Sequence, residues 1–157
     1  MITRMTKLIV LGLSVMMLAM AAELPSKKWL NLAAIKTMVA AAEAEAQKRN
    51  VQVTICIVDE SGNLLFLQKA DGATLNTIGF AQKKARYAAI YGRPSKVAAD
   101  AVKAGNLIGL VAPDGFPNQG GVPVKVDGHT IGAVACSGAA SEVDEAISQV
   151  AIDALLK

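Results

Sequence analysis

The chain has 157 residues, enough for one folded domain, and its composition already excludes several classes of protein. A hydrophobic fraction of 53% beside a charged fraction of 18% excludes intrinsic disorder. Five of the six Met residues lie in the first twenty positions, so the apolar excess is concentrated at the N-terminus and a protein with many membrane spans is excluded. The aromatic fraction of 4% argues against a stacking platform for single-stranded nucleic acid.

The first 21 residues have the three-part pattern of a secretory signal peptide. Arg4 and Lys7 supply a basic start, an apolar run covers residues 8–22, and small residues flank Met20. This run is shorter than the roughly 20 residues that span a bilayer as a helix. We therefore expect a signal peptide over residues 1–21 and a single domain over residues 22–157, periplasmic or secreted, with no membrane attachment after cleavage. The alternative is an uncleaved N-terminal anchor.

The charge of the processed chain is close to balanced. Without Arg4 and Lys7, 14 basic residues remain against 13 acidic ones. No stripe of Lys and Arg remains that would suit a phosphate backbone, so we expect no nucleic-acid partner.

Cys56 and Cys136 are the only cysteines, and each lies in a predicted buried strand. Export would place them in an oxidising compartment, where a disulfide between neighbouring strands is one interpretation. Two buried thiols that act as small hydrophobic side chains are the other. Two Cys and one His are too few for a Cys/His zinc cluster of the usual kind.

The first half of the domain predicts a helix followed by a hairpin. Apolar residues recur at helical spacing from a cap at Asn31 to Asn50. Residues 51–58 alternate and then become apolar on both faces, which predicts a central strand. Turn residues follow at 59–63, and a second strand over Leu64–Lys69 completes the hairpin.

The second half predicts two helices, a loop-rich centre, a second hairpin and a last helix. Ser141, followed three residues later by Asp144, is typical of a capping box and is expected to begin the last helix. The whole order predicts an α/β domain of the α+β type, with a mainly antiparallel five-stranded sheet flanked by helices. The predicted elements are helices over 75–91 and 95–104, loops over 105–121, strands over 122–126 and 130–136, and a helix over 142–156.

Two glycine-containing segments are the strongest candidates for a ligand site. Glycines let a backbone approach a ligand closely, and their N–H groups can line a concavity. The second segment leads into a predicted helix N-terminus, which favours anions. We expect the two segments to face each other and enclose an acidic or carbonyl-bearing small molecule; the alternative is plain loops that need positive φ angles. The candidate residues are Asn118, Gln119, Gly120, Gly121 and Pro123 in the first segment, and Ser137 and Gly138 in the second.

No complete catalytic set is recognisable among the polar residues. His129 is the sole imidazole and lies at a hairpin tip beside Asp127. It is either a solvated surface residue or a residue used in catalysis or metal binding. Ser137 has no obvious general base, and the carboxylates are scattered over turns and caps without forming an acid–base pair. Tyr87 and Tyr91 share one helix face, which indicates either packing on the sheet or a surface for a flat ligand or another subunit.

A series of short motifs follows in a definite order along the chain. They are Val58-Asp59-Glu60-Ser61-Gly62, Asp71-Gly72-Ala73, Lys84-Ala85, Ala88-Ala89, Gly120-Gly121-Val122-Pro123, Asp127-Gly128, Ile131-Gly132-Ala133, Ser137-Gly138 and Asp144-Glu145. Through these motifs, residues 32–156 resemble the GlcG/HbpS-like family, which includes the C-terminal domain of PduO-type proteins.

The resemblance implies a mostly antiparallel sheet flanked by helices, profilin-like in outline, that assembles into dimers or larger symmetric homo-oligomers. Some members of that family bind haem, some are tied to glycolate or diol catabolism by genetic context, and some are secreted; PduO-type relatives imply a corrinoid link. Lys84, Asp144 and the loop over 120–123 match family motif positions, and they become site candidates by that resemblance.

The sequence departs from this family at two points. Lys69 stands where relatives commonly have an Arg before Asp71, and no His lies in or near the first helix, where haem-binding relatives are expected to place an iron ligand. The residues of the processed chain that could ligate iron instead are Met38, Tyr87, Tyr91 and His129.

These observations predict an exported protein that binds a small ligand, with haem or a related tetrapyrrole as the leading ligand, in carriage, sensing or sequestration. One alternative is an enzyme or accessory factor acting on a small hydroxy- or oxo-acid. In that case Lys84 or Asp144 would carry a proton and glycine N–H groups would hold an oxyanion. The second alternative is an oligomeric structural module, whose Ala-rich helices pack between subunits.

Overall fold

The computed structural model describes residues 24–157, which form a four-stranded sheet with helices on both faces. The predicted signal peptide over 1–21 lies outside the described residues. Of the helices formed by residues 24–157, none combines the length and the apolar character needed to cross a bilayer. The elements are α1 (Leu32–Lys48), β1 (Thr54–Asp59), β2 (Leu64–Lys69), α2 (Asn76–Tyr91), α3 (Lys96–Lys103), α4 (Ile108–Val111), β3 (Gly121–Val126), β4 (His129–Ser137) and α5 (Ser141–Leu155).

The sheet has the strand order β2-β1-β4-β3, and all neighbouring strands are antiparallel. The predicted class and the flanking helices are confirmed, but the predicted number of five strands is wrong. The second half of the described residues contributes two strands, and the segment predicted as a loop over 105–121 contains the short helix α4. The Asn106 side-chain oxygen accepts a hydrogen bond from the Ile108 N–H at 3.1 Å, which stabilises the turn that begins α4.

The two faces of the sheet carry different cores, because successive side chains of a strand point to opposite sides. Ile55 and Ile57 of β1 join the larger core beneath α1 and α5, which includes Met38 and Ile147. Cys56 and Val58 join the smaller core beneath α2. The side chains that α2 contributes to this smaller core are all alanines, which bring the helix close to the sheet: Ala81, Ala85, Ala88 and Ala89.

Helix ends were predictable where the capping group lies nearby in sequence. Asn31 caps α1 as predicted, since its side-chain oxygen accepts a hydrogen bond from the Ala34 N–H at 2.9 Å. Helix α2 ends as predicted at Gly92, which adopts a left-handed conformation with φ of 58°.

The predicted cap of the last helix is wrong. Ser141 is already helical and Ala140 occupies the cap position, with no side-chain cap. The carboxylate of Asp144 turns away to accept a hydrogen bond from the Ala139 N–H and to pair with Lys84. The side chain of Asp144, which local sequence predicted to cap the helix, therefore pairs with Lys84, a residue distant in sequence.

The two cysteines lie on opposite faces of the sheet. Across the β1–β4 pair, Cys56 stands opposite Ala135 and Cys136 stands opposite Ile55. Because paired residues share a face, the two sulfur atoms are separated by the sheet itself. Both thiols are free and buried, which supports the thiol interpretation over the disulfide.

Candidate functional site

Lys84 and Asp144 meet inside the protein. The Nζ atom of Lys84 lies 2.9 Å from Oδ2 of Asp144 and donates a second hydrogen bond to the Cys136 carbonyl at 3.1 Å. The other carboxylate oxygen accepts from the Ala139 N–H at 3.0 Å. Their side chains are 2% and 3% exposed. Sequence reasoning found no acid–base pair because 60 positions separate the partners, and only the family motifs pointed to both.

Gly120 and Gly121 pack directly against this ion pair. A Cβ on Gly120 would lie 2.8 Å from Lys84 Nζ, and one on Gly121 would lie 2.3 Å from the Lys84 carbonyl oxygen. The Gly121 N–H donates to Ser95 Oγ at 2.9 Å, and the Gly120 carbonyl accepts from Ser148 Oγ at 2.8 Å. The missing side chains therefore make room for the protein's own groups, and the backbone N–H of Gly121 is already used.

The protein's own atoms also occupy the space beside the glycine of the second segment. A Cβ on Gly138 would lie 2.3 Å from the Gln52 carbonyl oxygen, and Ser137 is buried opposite Thr54 of β1. The Cβ positions of Gly120, Gly121 and Gly138 are therefore occupied by the protein's own atoms, and a small molecule between the two segments stays a prediction. Lys84 is 1% exposed, so a substrate at the surface does not reach its ammonium group.

The remaining residues of the first segment point inward. Gln119 is buried, and burial raises the pKa of Glu145 although the Gln119 side chain acts to lower it. Pro123 is buried in β3 opposite Ala133. Asn118 is half-buried, and in the part of the chain that the structure describes its Oδ1 has no hydrogen-bond partner.

Tyr87 and Tyr91 form a stacked pair, as their spacing on α2 allows. Their ring centroids are 4.6 Å apart, and Arg93 lies over both rings while donating a hydrogen bond to the Tyr87 hydroxyl at 3.0 Å. The Tyr91 hydroxyl donates to the Pro113 carbonyl, and Tyr87 is only 2% exposed. The pair therefore joins α2 to the loop after α4, and a role for these rings toward a flat ligand stays a prediction.

An open groove lies at the other end of the sheet, between the β3–β4 hairpin and the segment that precedes α1. We call it the hairpin groove. Its volume of about 530 Å³ falls within the range of small-molecule sites, roughly 300–1,000 Å³. One wall is formed by Pro25, Ser26, Lys27 and Lys28, and the other by Val126, Asp127, His129, Thr130 and Ile131.

A second depression of about 400 Å³ continues the hairpin groove on its apolar side. It shares Lys27, Lys28, Val126 and Ile131 with the first and extends to Trp29 and Leu155. Trp29 is 71% exposed, an uncommon position for so large an aromatic side chain. The two depressions together offer a mostly apolar surface bordered by the cations Lys27 and Lys28.

Ion pairs hold the segment 25–29, which we call the strap, across the ends of the sheet. Lys28 Nζ lies 2.8 Å from Asp127 Oδ2 in the β3–β4 turn, and Lys27 pairs with Glu60 in the β1–β2 turn. The hydrogen bond from each lysine holds the pKa of its carboxyl partner below its ordinary value. Both lysine side chains remain more than half exposed and border the groove.

Only one of the four candidate iron ligands borders the groove. Met38 and Tyr87 are buried, and the Tyr91 hydroxyl is bonded to a carbonyl, whereas His129 is exposed and lines the hairpin groove. Within residues 24–157, no three His, Cys, Asp or Glu side chains gather as ligands for a free metal ion. Sequence reasoning missed the groove because the strap reaches the hairpin from 99 positions away, as in the Lys28–Asp127 pair.

A family model and a curated relative both match this chain. Residues 30–153 match the family model described as "Haem degrading protein HbpS-like". The chain is 40% identical over 100 residues to Protein GlcG of Escherichia coli strain K12, an alignment that covers 64% of this chain and 75% of GlcG.

Solved structures are similar along most of the chain. A PduOC:Heme complex superposes with a TM-score of 0.74 at 28% identity, covering 81% of this chain and 95% of that one. A double mutant of Streptomyces reticuli HbpS superposes with a TM-score of 0.78 at 26% identity, covering 88% and 94% respectively.

Proposed function

The chain belongs to the HbpS-like family, and on that basis we propose that it binds haem or a related tetrapyrrole in the hairpin groove. We further propose that it does so after export, in the periplasm or outside the cell, as a carrier, sensor or sequestering protein. The export proposal depends on the signal-peptide pattern of residues 1–21.

The observation that carries the haem proposal is the position of the sole imidazole. His129 lines a groove of ligand size, and an imidazole nitrogen is a common axial ligand of haem iron. The opposite wall, residues 25–28, directly precedes α1. The groove therefore lies beside the region where the family resemblance placed an iron ligand, and a residue of the β3–β4 hairpin would serve in its stead.

The other groove residues suit the remaining parts of a haem. Val126, Ile131 and Trp29 offer apolar contacts for a flat macrocycle. Lys27 and Lys28 offer ammonium groups for its two propionates. The bound iron would supply ligand-exchange and redox chemistry, while His129 holds it and the strap covers one side.

A titration with haemin tests this proposal. We expect a saturable Soret shift with the processed protein, and we expect His129→Ala to lose the ligated spectrum and to bind about tenfold or more weakly, the scale seen when metal-ligand sets are disturbed. Tyr91→Phe is the matched control, because its hydroxyl is already bonded to Pro113 and its loss leaves the groove intact. A spectrum that does not saturate, or one unchanged in His129→Ala, contradicts the proposed site.

We also propose that the protein forms a homo-oligomer. Four of the five residues over 107–111 are exposed and apolar, which is typical of an interaction surface: Leu107, Ile108, Leu110 and Val111. Native mass spectrometry of protein purified from the periplasm of its native cells tests both the assembly and the cleavage after Ala21. We expect Val111→Glu to weaken the assembly, and a wild-type monomer would contradict the proposal.

A further inference from the structure

Two ion pairs join the strap to the rest of the protein. Its residues 25–29 are exposed, and the first buried side chain of the segment is Leu30. Within residues 24–157, its side chains hydrogen-bond to the rest of the protein from Lys27 to Glu60 and from Lys28 to Asp127. Both ion pairs therefore lie where the strap borders the hairpin groove.

The Lys28–Asp127 pair is easily exchanged. Its side chains are 64% and 74% exposed, and an exposed ion pair contributes little free energy because water and salt screen it. Both partners also line the groove. A carboxylate that enters the groove can therefore replace Asp127 as the partner of Lys28 without burying a charge or breaking the sheet.

We infer that Asp127 competes with the carboxylates of the guest for Lys28, and so sets how strongly the groove prefers an anionic porphyrin over a neutral one. This inference rests on the proposed function. In the free protein Asp127 keeps Lys28 at the mouth of the groove. When a propionate binds, Lys28 breaks its ion pair with Asp127 and pairs with the propionate. Asp127, in the turn before His129, then faces water.

Asp127 is thus a positioning residue that acts through Lys28. Its carboxylate is 74% exposed and lies 2.8 Å from Nζ of Lys28 on the strap. An exposed aspartate is ionised at neutral pH, so Asp127 remains a charged competitor there. Removing its charge should help a dicarboxylate guest and leave a guest without carboxylates unaffected.

The test compares haemin with haemin dimethyl ester in the same dilute detergent. We expect Asp127→Asn to tighten haemin binding by about two- to fivefold, the range that the loss of one exposed ion pair allows. Binding of the diester should not change. Asp153→Asn is the matched control, because Asp153 is an exposed carboxylate of α5 outside the groove and has the same charge.

A double-mutant cycle separates this exchange from a general effect of net charge. With Lys28→Met already present, Asp127→Asn should no longer tighten haemin binding. If the wild type binds haemin but Asp127→Asn equals Asp153→Asn, or tightens the diester as much as haemin, the inference is overturned while the proposed function stands. If no variant and no wild type binds haemin saturably, the proposed function fails, and the inference fails with it.

Discussion

Lys84 and Asp144 form an ion pair with an Nζ–Oδ2 distance of 2.9 Å in which neither side chain is more than 3% exposed. The pair joins α2 to α5 at the β3–β4 edge of the sheet, and both charges have further hydrogen bonds, to the Cys136 carbonyl and from the Ala139 N–H. A buried charge that loses its partner keeps its desolvation cost without compensation. The pair therefore acts as a latch between layers.

Breaking this latch should destabilise the protein strongly. We expect Lys84→Met or Asp144→Leu alone to lower the free energy of unfolding by about 3–5 kcal/mol, because each leaves one buried charge unpaired. The double variant should lose less than either single variant. Denaturant unfolding followed by circular dichroism measures all three.

The exposed Lys96–Asp100 pair is the control for the latch. Lys96→Met should leave the unfolding midpoint nearly unchanged, since solvent already screens that pair. Additive losses in the double variant of Lys84 and Asp144, or single variants as stable as Lys96→Met, would show that the buried pair is not a latch.

Gly121 is predicted to tolerate no side chain. A Cβ there would lie 2.3 Å from the carbonyl oxygen of Lys84, and the backbone of α2 cannot move without opening the smaller core. We expect Gly121→Ala to cost about 1–3 kcal/mol or more by thermal unfolding. Gly79→Ala is the control: Gly79 lies in α2 with open space around its Cβ position, so this change should stabilise the protein by about 0.5–1 kcal/mol. Equal melting temperatures would contradict the packing argument.

The two thiols should be unreactive in the folded protein. Burial raises the pKa of Cys56 and of Cys136 to about 12, so the reactive thiolate is scarce at pH 8. We expect slow modification by a disulfide reagent in native buffer and rapid modification of both thiols in denaturant. Intact mass should show two free thiols even after oxidation, because the sheet separates them. A mass two daltons lower would contradict this.

Asp59 should make stability depend on pH. Burial acts to raise the pKa of Asp59, but hydrogen bonds from Asn63 and Ser61 and the charge of Lys27 outweigh it and hold the pKa below its ordinary value. A lowered folded pKa means that the carboxylate stabilises the fold above the unfolded pKa of about 4 and that this contribution is lost as pH falls through the folded pKa.

Comparing Asp59→Ala with the wild type at two pH values checks this sign. At pH 7 the variant should be less stable by about 1 kcal/mol, because the β1–β2 turn loses hydrogen bonds that are partly exposed. Near pH 2 the difference should shrink, since both chains then lack the carboxylate. A constant difference across this range would mean that the turn does not depend on the charge.

Features with determinants a few residues away were predictable from sequence. The strand Leu64–Lys69 has the predicted bounds, the Asn31 cap is present, and Gly92 ends α2. In each case an alternation, a capping side chain or a left-handed glycine acts within one turn of the chain. The α+β class followed from the order of such elements, and the family followed from short motifs in sequence.

The site depended on contacts that no local pattern encodes. Lys84 looks like one of several surface cations on a helix, and Asp144 looks like a cap, until the stacking of α2 and α5 on the sheet brings them together. The sequence predicted that Gly120, Gly121 and Gly138 line a ligand site, because a sequence cannot show which atoms occupy the space beside a glycine. The sequence offered His129 as one of four possible iron ligands, and the strap that folds back over its hairpin places it alone of the four beside the groove. Near-neighbour sterics and hydrogen bonds decide the elements, whereas layer packing and long-range charge decide which residues meet.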